Sequence, residues 1–183
     1  MQEILDKYNI KIDYNLLLSM WNESHRYYHN QNHLIDVIEK INEIKTSLTE
    51  KEYDKLIITA LFHDIVYNPN RSDNEEKSAQ FLLESSVDKN NQDIQEIKQI
   101  ILDTKDHNPK TKLSEKFCKI DMSIVEEDFE KLLEWEKGIN QEYKSFGPLY
   151  KEGRLKFLES LIDNYPTNTN NILKLMDWVK TNY

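Results

Sequence analysis

Apolar residues recur at spacings of three and four along most of this chain, the period of an amphipathic helix. Leu34, Val37, Ile38, Ile41, Ile44 and Leu48 share one helical face, with His33 in the first turn, and Ile94, Ile97, Ile100 and Ile101 mark another. Asp13 sits where it can cap a first helix carrying Leu16, Leu17, Leu18, Met20 and Trp21, which runs out in the polar segment Glu23 to His33. Thr49-Glu50-Lys51-Glu52 has the form of a capping box and opens a central helix expected to end near Tyr67, before Asn68-Pro69-Asn70. A second box, Ser72 with Glu75 or Asp73 with Glu76, precedes Ala79, Phe81, Leu82 and Leu83. Phe117, Ile120, Ile124 and Val125 belong to a shorter helical segment. Phe129, Leu132, Leu133, Trp135 and Ile139 form a longer one closed by Gly147-Pro148, and two more helices follow. No stretch alternates with the period of a strand, and no linker divides the chain. The pattern predicts an all-α fold in a single domain over residues 1–183.

One stretch breaks the pattern. Leu56 to Tyr67, LIITALFHDIVY, is apolar nearly all round, as a buried helix is, yet holds His63 and Asp64 side by side. A buried carboxylate is costly unless it is paired or bound to a metal. The pair therefore needs partners, unless Asp64 simply caps a helix end or meets a lysine.

Composition narrows the choice. Only 3 Gly and 4 Pro fit helices joined by short loops. A net charge of −9 argues against a nucleic acid polymer as partner, although one divalent ion can invert the local sign for a small anion. The single cysteine, Cys118, excludes an internal disulfide and suits a reducing compartment. With no apolar signal core and no membrane-length window, the expectation is a cytoplasmic protein without a membrane partner.

His33, His63, Asp64 and Asp121 stand out as partners for one another. Adjacent helical residues point about 100° apart, so His63 and Asp64 can approach one ion from different sides. Two imidazoles with two carboxylates suit Mn, Fe, Co, Ni or Zn better than Mg. Spacing alone carries little specificity, because the four lie far apart in sequence.

The flanking residues carry more. His33, His63-Asp64 and Asp121 resemble the H…HD…D signature of the HD-domain superfamily of metal-dependent phosphohydrolases. Arg26 to His33, RYYHNQNH, is similar to the RxYHNxxH segment of one predicted bacterial subfamily. Phe62 to Tyr67 is similar to its FHDxVY and Asp73 to Ala79 to its DNExxSA. Thr104 with His107 resembles a TxxH element, and Tyr150 to Arg154 a late YxxGR. Asn140 departs from the pattern, which has an arginine after the isoleucine. The resemblance spans about Trp21 to Leu158. It implies an HD-type helical bundle with His33, His63, Asp64 and Asp121 as ligands of one divalent metal. It also implies hydrolysis of a small phosphorylated substrate, for which a nucleotide is a natural candidate.

Beside the ligands, Asp64 and Glu75 are the expected catalytic carboxylates, Glu75 as general acid or base unless its capping box claims it. Arg26, His29 and His107 are the expected substrate contacts. Arginine's fork matches phosphate oxygens, and Arg26, Arg71 and Arg154 are the only arginines. The alternative for each is a structural ion pair, and for Arg71 and Arg154 neither reading is preferred. His29 can instead support His33, His107 can serve a second metal, and His25 reads as a surface residue. Competing functions are an alarmone or nucleoside triphosphate pyrophosphohydrolase, and a catalytically silent HD domain acting as nucleotide sensor or scaffold. Trp and Tyr residues near the C-terminus fit a homodimer interface and a core equally well.

Overall fold

The computed structural model describes residues 1–183 and is all-helical, with no strand beyond an isolated bridge between Ile10 and Ser86. The chain separates into two compact units, Met1–Asp121 and Met122–Tyr183. No helix is long and apolar enough to cross a membrane.

The first unit holds α1 (Gln2–Lys7), α2 (Tyr14–Trp21), α3 (Gln31–Glu43), α4 (Glu50–Phe62), α5 (Asn74–Ser85), α6 (Gln92–Asp103) and α7 (Lys112–Asp121). Helix α4 is its axis and touches α1, α3, α5, α6 and α7. Every residue from Leu56 to Phe62 is fully buried, including Thr59, whose hydroxyl donates back to the Lys55 carbonyl. Burial begins in its second turn, at Asp54 and Lys55, which require partners there. Lys7 reaches Asp54, and Lys55 Nζ lies 2.6 Å from Glu96.

Local signals set the helix starts. Asp13 accepts from the amides of Asn15 and Leu16, and Thr49 and Glu52 close the expected capping box. The second box does not form. Asp73 is the N-cap of α5 but makes no side-chain cap, because both of its oxygens accept from Arg71 at 2.7 Å. Helix α1, with fully buried Leu5, precedes the helix that the sequence pattern placed first.

The central helix also ends earlier than its apolar run. The last regular residue is Phe62, and His63 caps it, its N–H donating to the Thr59 carbonyl. Beyond that point the chain leaves the helix inside the core, where unpaired backbone groups are expensive. Remote side chains satisfy them. Arg26 donates to the carbonyls of His29, Asp64 and Ile65 at 3.0, 2.8 and 3.0 Å. Ser78 accepts from the Val66 amide and Asn74 from the Asn68 amide. Arg26, Asn74 and Ser78 therefore build the turn that follows His63.

The second unit holds α8 (Phe129–Glu142), α9 (Pro148–Leu161) and α10 (Thr169–Asn182), with α10 packed on both others. Gly147, at φ +52°, and Pro148 at the first position of α9 start that helix. Its core buries Leu132, Trp135, Leu158, Ile172, Leu175 and Val179 around an ion pair. Glu136, fully buried, accepts from Tyr150 Oη at 2.6 Å and from Arg154 Nε at 2.5 Å, and the guanidinium lies 4.1 Å from the Trp135 ring centroid. Burial and the adjacent Glu136 carboxylate drive the Tyr150 phenol far above its usual range, so it stays a donor. Removing one partner of such a pair strands the other. We expect Glu136→Ala to destabilise the protein by about 3–5 kcal/mol, read from its denaturation midpoint.

Candidate metal centre

Four donor atoms converge at the end of α4. His33, in the first turn of α3, is positioned by Asn30, whose side chain caps that helix through the Asn32 amide. His63 is fully buried against Trp21 and Phe117, with ring centroids 5.4 and 5.3 Å away. Its Nδ1 lies 3.0 Å from the Ala60 carbonyl. A carbonyl can only accept, so Nδ1 carries the proton and Nε2 faces the cluster. Trp21 is held in turn by its indole N–H, which donates to the Leu61 carbonyl at 3.0 Å.

His33 Nε2 and His63 Nε2 are 3.3 Å apart, and Asp121 Oδ1 lies 3.1 Å from the first and 3.3 Å from the second. Asp64 Oδ2 is 3.6 Å from His63 Nε2. Donors at about 2.0–2.2 Å from one ion are separated by roughly 3.0–3.5 Å in octahedral or tetrahedral arrangements. The His33, His63 and Asp121 atoms fit a single divalent ion by that measure, and Asp64 stands just beyond it from His63. One ligand atom from each of His33, His63 and Asp64 lies within 4.8 Å of the others. Asp121 is not one of that mutually close trio, but its Oδ1 is nearer to both imidazoles than Asp64 is to His63.

The charges explain how such a cluster survives in the core. Burial pulls His63 towards neutrality, but Asp64 and Asp121, with hydrogen bonds to Asp121 and Ala60, outweigh it and raise its pKa to about 9. Burial likewise works against the Asp121 carboxylate. The His63 charge and hydrogen bonds from His107, His33 and His63 overcome it, holding the carboxyl well below its ordinary range. Glu75, half-buried in the first turn of α5, has its pKa raised by burial, with the Asp64 charge adding to the effect.

The remaining predicted residues divide. His107 Nε2 lies 3.1 Å from Asp121 Oδ2, so it holds the oxygen that faces away from the two imidazoles. Its backbone is left-handed, at φ +47°, a conformation that costs a non-glycine residue about 1–3 kcal/mol. His29 stacks on Tyr67 at 4.3 Å and stands 5.9 Å from the His33 ring. Arg26 is not an open phosphate contact. Its guanidinium is buried, lies 5.5 and 5.4 Å from the Trp21 and Tyr67 centroids, and donates to three backbone carbonyls and Glu23. Arg71 is bound to Asp73 and Arg154 to Glu136.

Sequence reasoning passed over Asp103. This buried residue ends α6, and its Oδ2 accepts from the Lys110 amide and the Ser114 hydroxyl at 2.9 and 2.6 Å, while Gln99 donates to Oδ1. It clamps the turn that carries His107 and starts the helix that ends in Asp121. Its signal was present, an aspartate closing the apolar run Ile100-Ile101-Leu102 as Asp64 interrupts its own.

No protein-family model, curated protein or solved structure matches this chain.

Two outcomes follow. Lysine cannot span the three carbonyls that Arg26 joins, so Arg26→Lys should cost about 1.5–3 kcal/mol of stability and weaken metal uptake. A phosphate contact would instead raise KM with the unfolding midpoint unchanged. A metal must also displace the His63 proton at any pH below about 9. Apparent metal affinity should then climb by about tenfold per pH unit towards that value and level off above it. In metal-free protein, the stabilisation from charged His63 is complete below its unfolded pKa of about 6.5 and is lost as pH rises through about 9. Calorimetric titrations and melting curves across pH 6–10 check both.

Proposed function

We propose that this chain is an HD-type, metal-dependent phosphohydrolase that cleaves a phosphate ester or anhydride of a small metabolite, with a nucleotide as a natural candidate. The observation that carries the reading is the convergence of His33, His63 and Asp121 donor atoms at 3.1–3.3 Å, with Asp64 at 3.6 Å from His63. Two imidazoles and two carboxylates favour Mn, Fe, Co, Ni or Zn over Mg. Bound there, a divalent ion supplies a water of lowered pKa and polarises a phosphoryl oxygen.

The protein's part is positioning and proton handling. The Ala60 carbonyl fixes the His63 tautomer, and His107 holds Asp121 by its second oxygen. Trp21 and Phe117 keep water from the inner side of His63. Glu75, with its raised pKa beside Asp64, is suited to take a proton from water and return it to a leaving oxygen. The reading agrees with the resemblance carried by the H…HD…D residues and their flanking segments.

Purified protein never exposed to chelator should carry about one transition metal per chain. His63→Ala should lose both the metal and hydrolysis of a phosphate ester panel assayed with Mn, Co, Ni, Zn and Mg, while its helical circular dichroism persists. Metal no higher than in the buffer would refute the proposal. Metal-loaded protein that binds nucleotides but leaves the panel intact would favour the sensor reading.

A further inference from the structure

The surroundings of the donor cluster bear on what it can accept. Asp64 and Asp121 supply its two carboxylates, and the charges acting on half-buried Glu75 include Asp64 and Glu76. The basic side chains of Arg26 and Lys105 are both already engaged. Arg26 lies on the protein side of the turn, spent on backbone carbonyls and offset by Glu23 at 3.0 Å. Lys105, which acts on Glu75, donates to the Ser72 carbonyl and to Glu76, each at 2.6 Å. Nearby, Arg71 is held bidentately by Asp73. Sites that hold a triphosphate supply lysine and arginine along the phosphate chain, because its charge must be neutralised at several points. Here the cluster carries two carboxylate charges that one divalent ion would balance, with little left for a string of further anions.

The flank beside His33 has a different character. Half-buried Tyr28 and His29 form a short aromatic row beside His33, with ring centroids 5.0 and 5.9 Å from it, and buried Tyr67 backs His29 at 4.3 Å. Exposed Tyr27 adjoins them in sequence. Such a wall takes an uncharged organic group by apolar and stacking contact rather than by ion pairing.

Building on the phosphohydrolase reading, we infer that the substrate is a phosphate monoester, one phosphate joined to an uncharged organic group, and not a polyphosphate. Near neutrality it carries about −1.5 to −2 charges, against about −4 for a nucleoside triphosphate. Hydrolysis would break the P–O bond of the ester. Water supplies the oxygen that makes inorganic phosphate, and the leaving oxygen takes a proton to give a neutral alcohol.

Metal-loaded protein titrated by calorimetry should bind a nucleoside monophosphonate at least about tenfold more tightly than a methylene-bridged nucleoside triphosphate. Turnover of nucleoside, sugar and aryl monophosphates should release inorganic phosphate, and their relative rates identify the group that the aromatic row prefers. Glu76→Gln should free Lys105 and improve binding of the triphosphate analogue by severalfold, with the monophosphonate changed by less than about twofold. Tighter binding of the triphosphate analogue by the unmodified protein, or release of pyrophosphate, would overturn the inference while leaving the phosphohydrolase reading in place. Failure to bind metal would remove both.

Discussion

The donor cluster depends on how α4 ends. A helix buried on every side cannot simply stop, because the carbonyls and amides it releases have no water to meet. Here it stops one residue before the histidine–aspartate pair, and the released groups find a guanidinium, a serine and an asparagine. Arg26 takes the carbonyls of Asp64 and Ile65, while Ser78 and Asn74 take the amides of Val66 and Asn68. That substitution turns the chain sharply enough for His63 and Asp64 to face one point, where α3 brings His33 and α7 brings Asp121. Arg26, which sequence reasoning assigned to substrate, thus joins Ser78 and Asn74 in making the turn on which the donors rest.

The second requirement is electrostatic. Each carboxylate and imidazole of the cluster would be unfavourable alone at this depth, and each is tolerated because the others are present. Asp103 extends that logic outward. By clamping the turn after α6 it fixes both the strained backbone of His107 and the start of the helix that delivers Asp121. The donor geometry is therefore supported from three sides, by Arg26 under Asp64, by Ala60 under His63 and by His107 on Asp121.

Much of this was legible in the chain itself. The three-and-four spacing gave α3 and α6 together with their buried faces, and Asp13 and Thr49 cap as their positions suggest. The histidine–aspartate pair announced itself by interrupting an apolar run. The end of α4 was not legible, since Ile65 and Val66 continue the apolar pattern and the deciding partner lies 38 residues upstream. Nor was the fate of Arg26: an arginine in a motif offers the same fork to a phosphate or to backbone carbonyls, and only packing decides. Asp73 shows the same competition at short range, where Arg71 two residues away took the carboxylate that a cap would have used.

The two units bury charge in different ways, and the contrast bears on function. In the second, Glu136 is neutralised by Arg154 and bonded by Tyr150, and an arginine keeps its proton at any pH a protein meets. That pair can serve structure but cannot exchange its cation for another. In the first, Asp121 and Asp64 are balanced by the proton on His63, which leaves near pH 9 in the metal-free cluster and sooner if a better cation displaces it. Carboxylates balanced by a removable proton, with nitrogen and oxygen atoms already at ligand spacing, can trade that proton for a metal ion without rebuilding the core. This exchangeability, more than the presence of buried charge, distinguishes the His33–His63–Asp64–Asp121 cluster from the ion pairs elsewhere in the chain.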